Sequence, residues 1–388
     1  MNTAMQSNFQ PSFVPLITND DINCVSDAVA NGWGKNRDYW IKDLASSLAK
    51  FLNVKYVLPV SSGTAAITTA LASFGLKSGD EVIIPNLTWV ACAAPIVQLG
   101  LVPVFLNVDS SLCIDPEELE KSISRKTRLI FAVDLAGSSP NWQKLTAIAE
   151  KYNIPILEDA AESFGGQFET SIDSKALGSL GKISILSFSP TKIITGGQGG
   201  AVCTNDEFLM RKSESLFHHG INPSKTGKYF WSDEIGYNFQ ITNLQSALIS
   251  SQLSRITDIV NVRKTYYALY EKYLKKSDFV SLYKYPSNVK SNYWMYLIIP
   301  KNKILVPKEQ VLLEVSKYGI DLRPFFYLLS DMPVYKQFYS NVNTYNRFLA
   351  DYGVCLPYGY DLCEEKIASI VDTIEKVYQQ FYSQKHAF

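Results

Sequence analysis

From about Asp20 to Asn205 the chain alternates short apolar runs with longer stretches whose apolar residues recur every three or four positions. The runs at 56–60, 81–85, 102–106, 129–133, 154–157 and 183–188 lack a polar face for most of their length, as strands buried on both sides of a parallel sheet require. Segments such as 141–152 have helical spacing between them, and Ser61-Ser62-Gly63-Thr64 opens a helix running to Phe74. The alternation predicts an α/β fold with a large, mainly parallel sheet. Near Asn243 the pattern changes. Leu244, Leu248, Leu253, Ile256 and Val260 continue at three-to-four spacing to about Leu274, which predicts one long amphipathic helix bridging two domains. A strand over 293–299 and a final helix from Glu364 to about Tyr382 suit a smaller C-terminal α+β domain. The expected division is an N-terminal arm at 1–13, a large domain at 14–255 and a small domain at 256–388.

Composition narrows the class without naming a function. At 388 residues, 46% hydrophobic and 19% charged, the chain has enough apolar material for two cores. Its 37 basic and 37 acidic residues cancel, so net charge draws it neither to nucleic acid nor to an anionic membrane. The apolar window 90–108 is interrupted by Pro95, Gln98, Gly100 and Pro103, and reads as a buried helix and strand rather than a membrane span. Residues 1–13 are polar and lack the pattern of a signal peptide. The cysteines Cys24, Cys92, Cys113, Cys203, Cys355 and Cys363 form no C-x-x-C pair, and two of the three histidines are adjacent, His218 and His219. Reduced thiols, a cytoplasmic location and no metal site are expected.

In open α/β sheets, ligands collect at the carboxyl ends of the strands. Four segments fall there: 61–64, 86–89, 159–162 and 187–192. Lys192 follows Ser187-Phe188-Ser189-Pro190-Thr191 and precedes Gly196-Gly197-Gln198-Gly199-Gly200. A lysine amine can form a Schiff base with an aldehyde, and Asp159 at a strand end can pair with a pyridinium nitrogen, which points to pyridoxal phosphate. Each feature has a plainer reading when taken alone. A loop lysine is usually a solvated charge, and Ser62-Gly63-Thr64 can be a simple helix cap as well as a phosphate turn. Trp89 can be core or interface as well as a shelf for a flat ring. Asp159 can cap a helix, with Glu162 as the N3 partner of a capping box. The glycine run reads as a turn and does not fit G-x-G-x-x-G, against a nicotinamide dehydrogenase.

In this order the motifs resemble the DegT/DnrJ/EryC1/StrS family of sugar aminotransferases, perosamine-synthase-like members in particular. Ser62-Gly63-Thr64-Ala65-Ala66 is similar to the family's S-G-T-A-A turn, Gly79-Asp80-Glu81-Val82-Ile83 to its G-D-E-V-I, and Glu158-Asp159-Ala160-Ala161-Glu162 to its E-D-A-A-E variant. Ser187-Phe188 with Lys192 resembles S-F-x-x-x-K, Gly236-Tyr237-Asn238-Phe239 resembles G-Y-N-Y, and Arg323-Pro324-Phe325-Phe326 resembles R-P-F-F. The resemblance implies a fold-type I, aspartate aminotransferase-like enzyme whose pyridoxal phosphate cycles with pyridoxamine phosphate. It implies that Lys192 carries the cofactor and shuttles the proton between Cα and C4′, while Asp159 keeps the pyridine nitrogen protonated. Trp89 would stack on the ring, Gly63, Thr64 and Ser187 would hold the phosphate, and Glu162 would lie near the ring hydroxyl. Asn238 would reach the phosphate from the second subunit of a homodimer. The expected reaction moves an amino group from L-glutamate to a nucleotide-linked 4-keto-6-deoxy sugar.

The substrate side departs from the family pattern. Gln240 and Phe217 stand where arginine is usual, Ser330 where histidine is, and Asp134-Leu135-Ala136-Gly137 replaces H-L-x-G. Gly34-Lys35-Asn36-Arg37-Asp38 replaces an S-x-G turn. Arg37, Lys225 or Lys228 could compensate for the missing charge, or be solvated surface residues. A smaller phosphorylated ketone as acceptor and a non-catalytic binding protein are the alternatives. The dehydratase relatives carry histidine at the lysine position, and Lys192 argues against that reaction.

Overall fold

A computed structural model describes residues 9–221, 231–301, 303–338 and 341–386. Lys225, Lys228 and residues 1–8 of the expected arm lie outside the described residues. In chain order the first strands are β1 (Tyr56–Val60), β2 (Glu81–Pro85), β3 (Val102–Leu106), β4 (Thr127–Val133), β5 (Ile156–Asp159), β6 (Gln167–Glu169), β7 (Ser174–Ala176), β8 (Ile183–Ser187) and β9 (Gly200–Thr204). Seven of them form one sheet in the order β1-β9-β8-β5-β4-β2-β3. It is parallel apart from β9, which runs against both of its neighbours.

The apolar runs behave as expected because both faces of the sheet are covered. Val82, Ile84, Leu129 and Phe131 join one cluster with the helix Gly63–Ser73, while Ile83, Ile130 and Ala132 join another with Trp142 and Leu145. Ser62 caps that first helix, its hydroxyl accepting from the Ala65 amide at 3.0 Å, and the turn is thereby aimed from β1 back across the sheet. Strand β9 was not anticipated. The glycine run is a turn, with the Phe188 amide bonded to the Gly199 carbonyl at 2.8 Å. Ala201-Val202-Cys203-Thr204 then returns antiparallel between β1 and β8 rather than crossing over by a helix.

The later strands are β10 (Val280–Leu282), β11 (Val289–Lys290), β12 (Tyr296–Pro300), β13 (Arg323–Pro324) and β14 (Val354–Leu356). Strand β11 joins the β6–β7 hairpin, and the other four form an antiparallel sheet in the order β10-β12-β14-β13. The single long helix expected over 243–274 is two helices, Asn243–Leu253 and Ile256–Leu274, with a break at Ser254-Arg255. The cause lies outside the helix: Arg255 turns to pair with the fully buried Asp21 carboxylate and donates to the Leu16 carbonyl at 3.0 Å. Both helices bury apolar residues, so the spacing runs through the break unchanged. The strand expected over 293–299 begins only at Tyr296, because 291–295 is occupied by a turn in which Asn292 Oδ1 accepts from the Trp294 amide at 2.9 Å. The last helix runs Glu364–Lys385. Among the described residues no helix is long and apolar enough to cross a membrane.

One buried cation supports the segment that follows β13. Lys308, the first residue of the helix Lys308–Ser316, is fully buried; its ammonium donates to the Phe325 carbonyl at 2.8 Å and lies 3.5 Å from the Tyr327 ring centre. Burial pushes this group down from 10.5 to about 8. Between those values the unfolded chain binds a proton that the folded chain lacks, so this group's contribution to stability rises with pH across the window. The urea midpoint of the wild type is expected to rise relative to that of Lys308→Met between about pH 7 and about pH 10. Parallel pH profiles for the two proteins would refute it.

Candidate active site

The carboxyl ends of β1, β5 and β8 open into a cavity of about 600 Å³. Gly63, Thr64, Trp89, Asp159, Glu162, Ser187 and Lys192 all line it. Asn238 does not: it is exposed, on an extended segment bridged to His218.

At one end of the cavity stands the start of the helix Gly63–Ser73. The amides of its first turn have no intrahelical acceptor and point outward, as at any helix N-terminus. Ser187 closes over them so tightly that a Cβ on Gly63 would fall 2.8 Å from the Ser187 Cβ and 2.9 Å from its hydroxyl. A Cβ on Gly200 would fall 2.5 Å from the Ser62 carbonyl oxygen. Two glycines thus let β8, β9 and the helix start converge into an anion-sized cradle of amides and hydroxyls.

At the other end stand two acids, Asp159 as the last residue of β5 and Glu162 in the turn after it. They cap no helix; 160–165 is a turn. Asp159 is 4% exposed, its Oδ1 accepting from the Ala161 amide at 2.9 Å and its Oδ2 from the Cys92 thiol at 3.3 Å. Burial pushes its carboxyl up, opposed by the Ala161 amide and the Lys192 charge. Glu162 accepts from the Ala136 amide at 2.9 Å and faces the Lys192 ammonium at 3.4 Å; burial pushes it up too, against the Lys192 charge. The preceding residue, Glu158, is structural. It accepts from the amides of Gly178, Leu180 and Gly181 and from the Ser184 hydroxyl, all within 3.0 Å, and lies on the opposite face of the sheet.

Lys192 is no solvated surface charge: its side chain is 12% exposed, held between Glu162 and the indole of Trp294, 4.2 Å from the ring centre. Trp89 is not core either. It is 57% exposed, and its ring meets Phe326 edge-on at 6.4 Å.

Two residues not singled out from the sequence belong to the site: Cys92, expected only as a reduced thiol, and Trp294, expected inside the strand 293–299. For Cys92 the signal was its place three residues after Trp89; for Trp294 there was none nearby. Arg323, read only as part of a motif, also lines the cavity, with its Nε bonded to the Ser12 hydroxyl at 2.8 Å. Among the departing positions, Gln240 is exposed beside β1 and outside the cavity lining, and Phe217 packs against the core of the sheet. Ser330 is locked to Asn86 by paired bonds of 2.8 and 2.9 Å. Asp134 is buried beside Glu158 and accepts from the Ser163 hydroxyl at 2.8 Å; burial and the Glu158 charge push it well up. Arg37 pairs loosely with Asp38 at the surface.

The donor set fits pyridoxal phosphate. The cradle suits a phosphate, and a buried carboxylate with only a thiol on Oδ2 suits a protonated ring nitrogen. A lysine amine stands in the same cavity. Fold and site together define a pyridoxal-phosphate enzyme of fold type I.

Three comparisons agree with that class. The chain belongs to the DegT/DnrJ/EryC1/StrS aminotransferase family, whose model matches residues 15–375. It is 29% identical over 374 residues to the GDP-perosamine synthase of Vibrio cholerae, covering 95% of this chain and 99% of that protein. Among solved structures it resembles Helicobacter pylori PseC, an aminotransferase involved in the biosynthesis of pseudoaminic acid. The TM-score is 0.88 at 25% identity, covering 96% of this chain and 100% of that one. The fold is also that of an E. coli GDP-4-keto-6-deoxy-D-mannose-3-dehydratase with bound hydrated pyridoxal phosphate, at TM-score 0.85 and 22% identity, covering 95% and 100%.

Gly63→Ala leaves a good helix former at the first helical position but fills the cradle. It is expected to weaken pyridoxal phosphate at least about tenfold, a loss of about 1.4 kcal/mol, read by titrating the cofactor's visible absorbance. Unchanged affinity would remove the phosphate from this end of the cavity.

Proposed function

We propose that this chain transfers an amino group from L-glutamate to the ketone of a nucleotide-linked 4-keto-6-deoxy sugar, making a 4-amino sugar for glycan biosynthesis. The observation that carries the chemistry is the Lys192 amine, 3.4 Å from Glu162 in the cavity that Asp159 also lines. The sugar-nucleotide acceptor rests on the likeness to GDP-perosamine synthases.

Bound pyridoxal phosphate supplies an electron sink that the protein lacks. The chain's residues supply the rest. Lys192 binds the cofactor and, when freed, carries the proton between substrate carbon and cofactor. Asp159 keeps the ring nitrogen protonated, and the cation beside it offsets the cost of burying its own charge. Glu162 orients the Lys192 amine and lies near the ring hydroxyl. The first-turn amides of Gly63 and Thr64, with Ser187, hold the phosphate, and Trp89 covers the ring.

Asn238 has no place in its own cavity, and its exposure supports a role across a homodimer interface, reaching the partner's phosphate. The six free cysteines accord with action in the reducing cytoplasm.

A second reading has its own observation. Ser330 spends its side chain on Asn86 and Gln240 is neutral, so the grip on a pyrophosphate differs from the family's and a smaller phosphorylated ketone could be the acceptor.

Lys192→Ala is expected to abolish turnover together with the visible absorbance of covalently held cofactor; a variant that still transaminates sinks the assignment. Mixing L-glutamate with the holoenzyme is expected to convert the cofactor's spectrum to that of its amine form. No change would favour the binding-protein alternative. Amine product from GDP-, dTDP- or UDP-linked 4-keto sugars supports the acceptor class. Product only from a small phosphorylated ketone transfers the assignment to the second reading.

A further inference from the structure

Trp294 reaches the active site from about a hundred residues downstream of Lys192, out of the turn that precedes β12. It is 4% exposed and touches the lysine loop twice. Its indole N–H donates to the carbonyl of Thr191, the residue before Lys192, at 2.7 Å. Its ring face lies 4.2 Å from the Lys192 nitrogen, on which Glu162 also closes. The indole is itself held. Its backbone amide donates to Asn292 Oδ1 at 2.9 Å, and the Asn292 amide nitrogen donates to the carbonyls of Glu162 and Phe164 at 2.9 and 3.0 Å. Asn292 is fully buried. A single buried asparagine therefore registers the tryptophan against the same turn that presents Glu162.

These contacts place two constraints on a side chain with four rotatable bonds. The bond to Thr191 fixes the loop from which Lys192 springs. The ring face, 4.2 Å from the nitrogen, bounds the volume open to its amine and shuts out water.

We propose that Trp294 is a positioning residue for Lys192, setting the direction from which the amine meets the cofactor's aldehyde. The inference rests on the reading of Lys192 as the cofactor-binding lysine. In the capture step the ammonium first gives a proton to Glu162. The neutral amine then adds to the aldehyde carbon, a carbon–nitrogen double bond replaces the carbon–oxygen one, and the oxygen leaves as water with the amine's two remaining hydrogens. Orientation of an amine in a near-attack position is what such a condensation gains from its surroundings.

The experiment follows capture rather than turnover. The full chain, freed of cofactor by an amino-acid donor and dialysis, is mixed with pyridoxal phosphate, and the growth of visible absorbance is timed; borohydride trapping then measures covalent attachment. Trp294→Phe keeps a ring face but loses the bond to Thr191, and is expected to slow capture about fivefold, the worth of one hydrogen bond. Trp294→Leu loses both the bond and the ring face that bounds the amine's approach, and is expected to be slower by a further factor of about ten. In both, kcat should fall in parallel while KM for the sugar nucleotide stays within about twofold. Thermal midpoints and circular dichroism establish that the variants fold. Should Trp294→Leu not fold, Trp294→Tyr is judged by the same comparison with Trp294→Phe. Capture at the wild-type rate with a raised KM would mean that Trp294 touches substrate instead, and would overturn the proposal. Lys192→Ala run alongside separates the two failures. If it still captures cofactor covalently, the functional reading itself falls; if it does not while both Trp294 variants match the wild type, only this inference falls.

Discussion

Asp159, Glu162 and Lys192 share the carboxyl end of the sheet with little water around them. An ammonium or carboxylate taken out of water costs several kcal/mol unless a counter-charge stands close. The lysine's charge pulls down both acids that burial pushes up. That mutual compensation makes the site possible, and it constrains the fold around it. Strands β5 and β8 must be neighbours and parallel for one to end in the acids and the other in the lysine loop; the observed pairing sets Asp159 opposite Ile185. Strand β9 must then return between β8 and β1, and it does so through glycines that tolerate the approach of the Ser62 carbonyl.

The residues after β9 matter to the same site. Trp294 and Asn292 press on the lysine loop and the acidic turn, and Tyr285 donates to the Ala136 carbonyl at 3.1 Å, beside the amide that Glu162 accepts from. Asn86 and Ser330 clasp the Trp89 loop to the segment that follows β13. Arg323 reaches the N-terminal segment through Ser12, while Lys308 ties down the carbonyl of Phe325. These hydrogen bonds add direction to broad apolar contact, since Met295, Phe325, Leu328 and Leu329 share one buried cluster with Val82 and Phe131 of the large sheet. The Asn86–Ser330 pair ties the Trp89 loop to the segment that carries Phe326 and Tyr327, and Lys308 fixes that segment from behind.

The legible part of this molecule is the part governed by local rules. Six strands of the large sheet could be read from apolar runs, since both faces of a parallel sheet exclude polar residues. The lysine, the two acids and the phosphate turn could be read because strand ends and helix starts put them on one edge. Strand β9 escaped because its glycine-rich approach masks a short strand, and the break at Ser254-Arg255 escaped because its cause, Asp21, lies far away in sequence. Trp294 escaped for the same reason: its role exists only through Thr191 and Lys192. The hydroxyl of Thr64 and the fate of Trp89 were ambiguous between cap, core and site. Exposure of Trp89 at the cavity rules out the core reading, which no spacing rule could do.

The positions that keep the family pattern and those that depart from it sit in different surroundings: Gly63, Ser187 and Asp159 line the cavity, while Gln240 and Ser330 lie outside its lining. Gly63, Ser187 and Asp159 are tied to backbone geometry: a Cβ, a longer side chain or a shifted strand at any of them collides with a neighbour or strands a buried group. Gln240 is exposed, and Ser330 satisfies its hydroxyl on Asn86 without needing a charge nearby. At exposed Gln240 the exchange of a cation for a neutral group costs little stability, because surface substitutions away from buried features change it by about 0.5 kcal/mol or less. The fold therefore resists change at these buried or close-packed positions and permits it at an exposed one such as Gln240. Asp134 shows the limit of that freedom: an acid in place of the family's histidine survives in the core only beside Ser163 and Ser139, whose hydroxyls reach it at 2.8 and 3.3 Å.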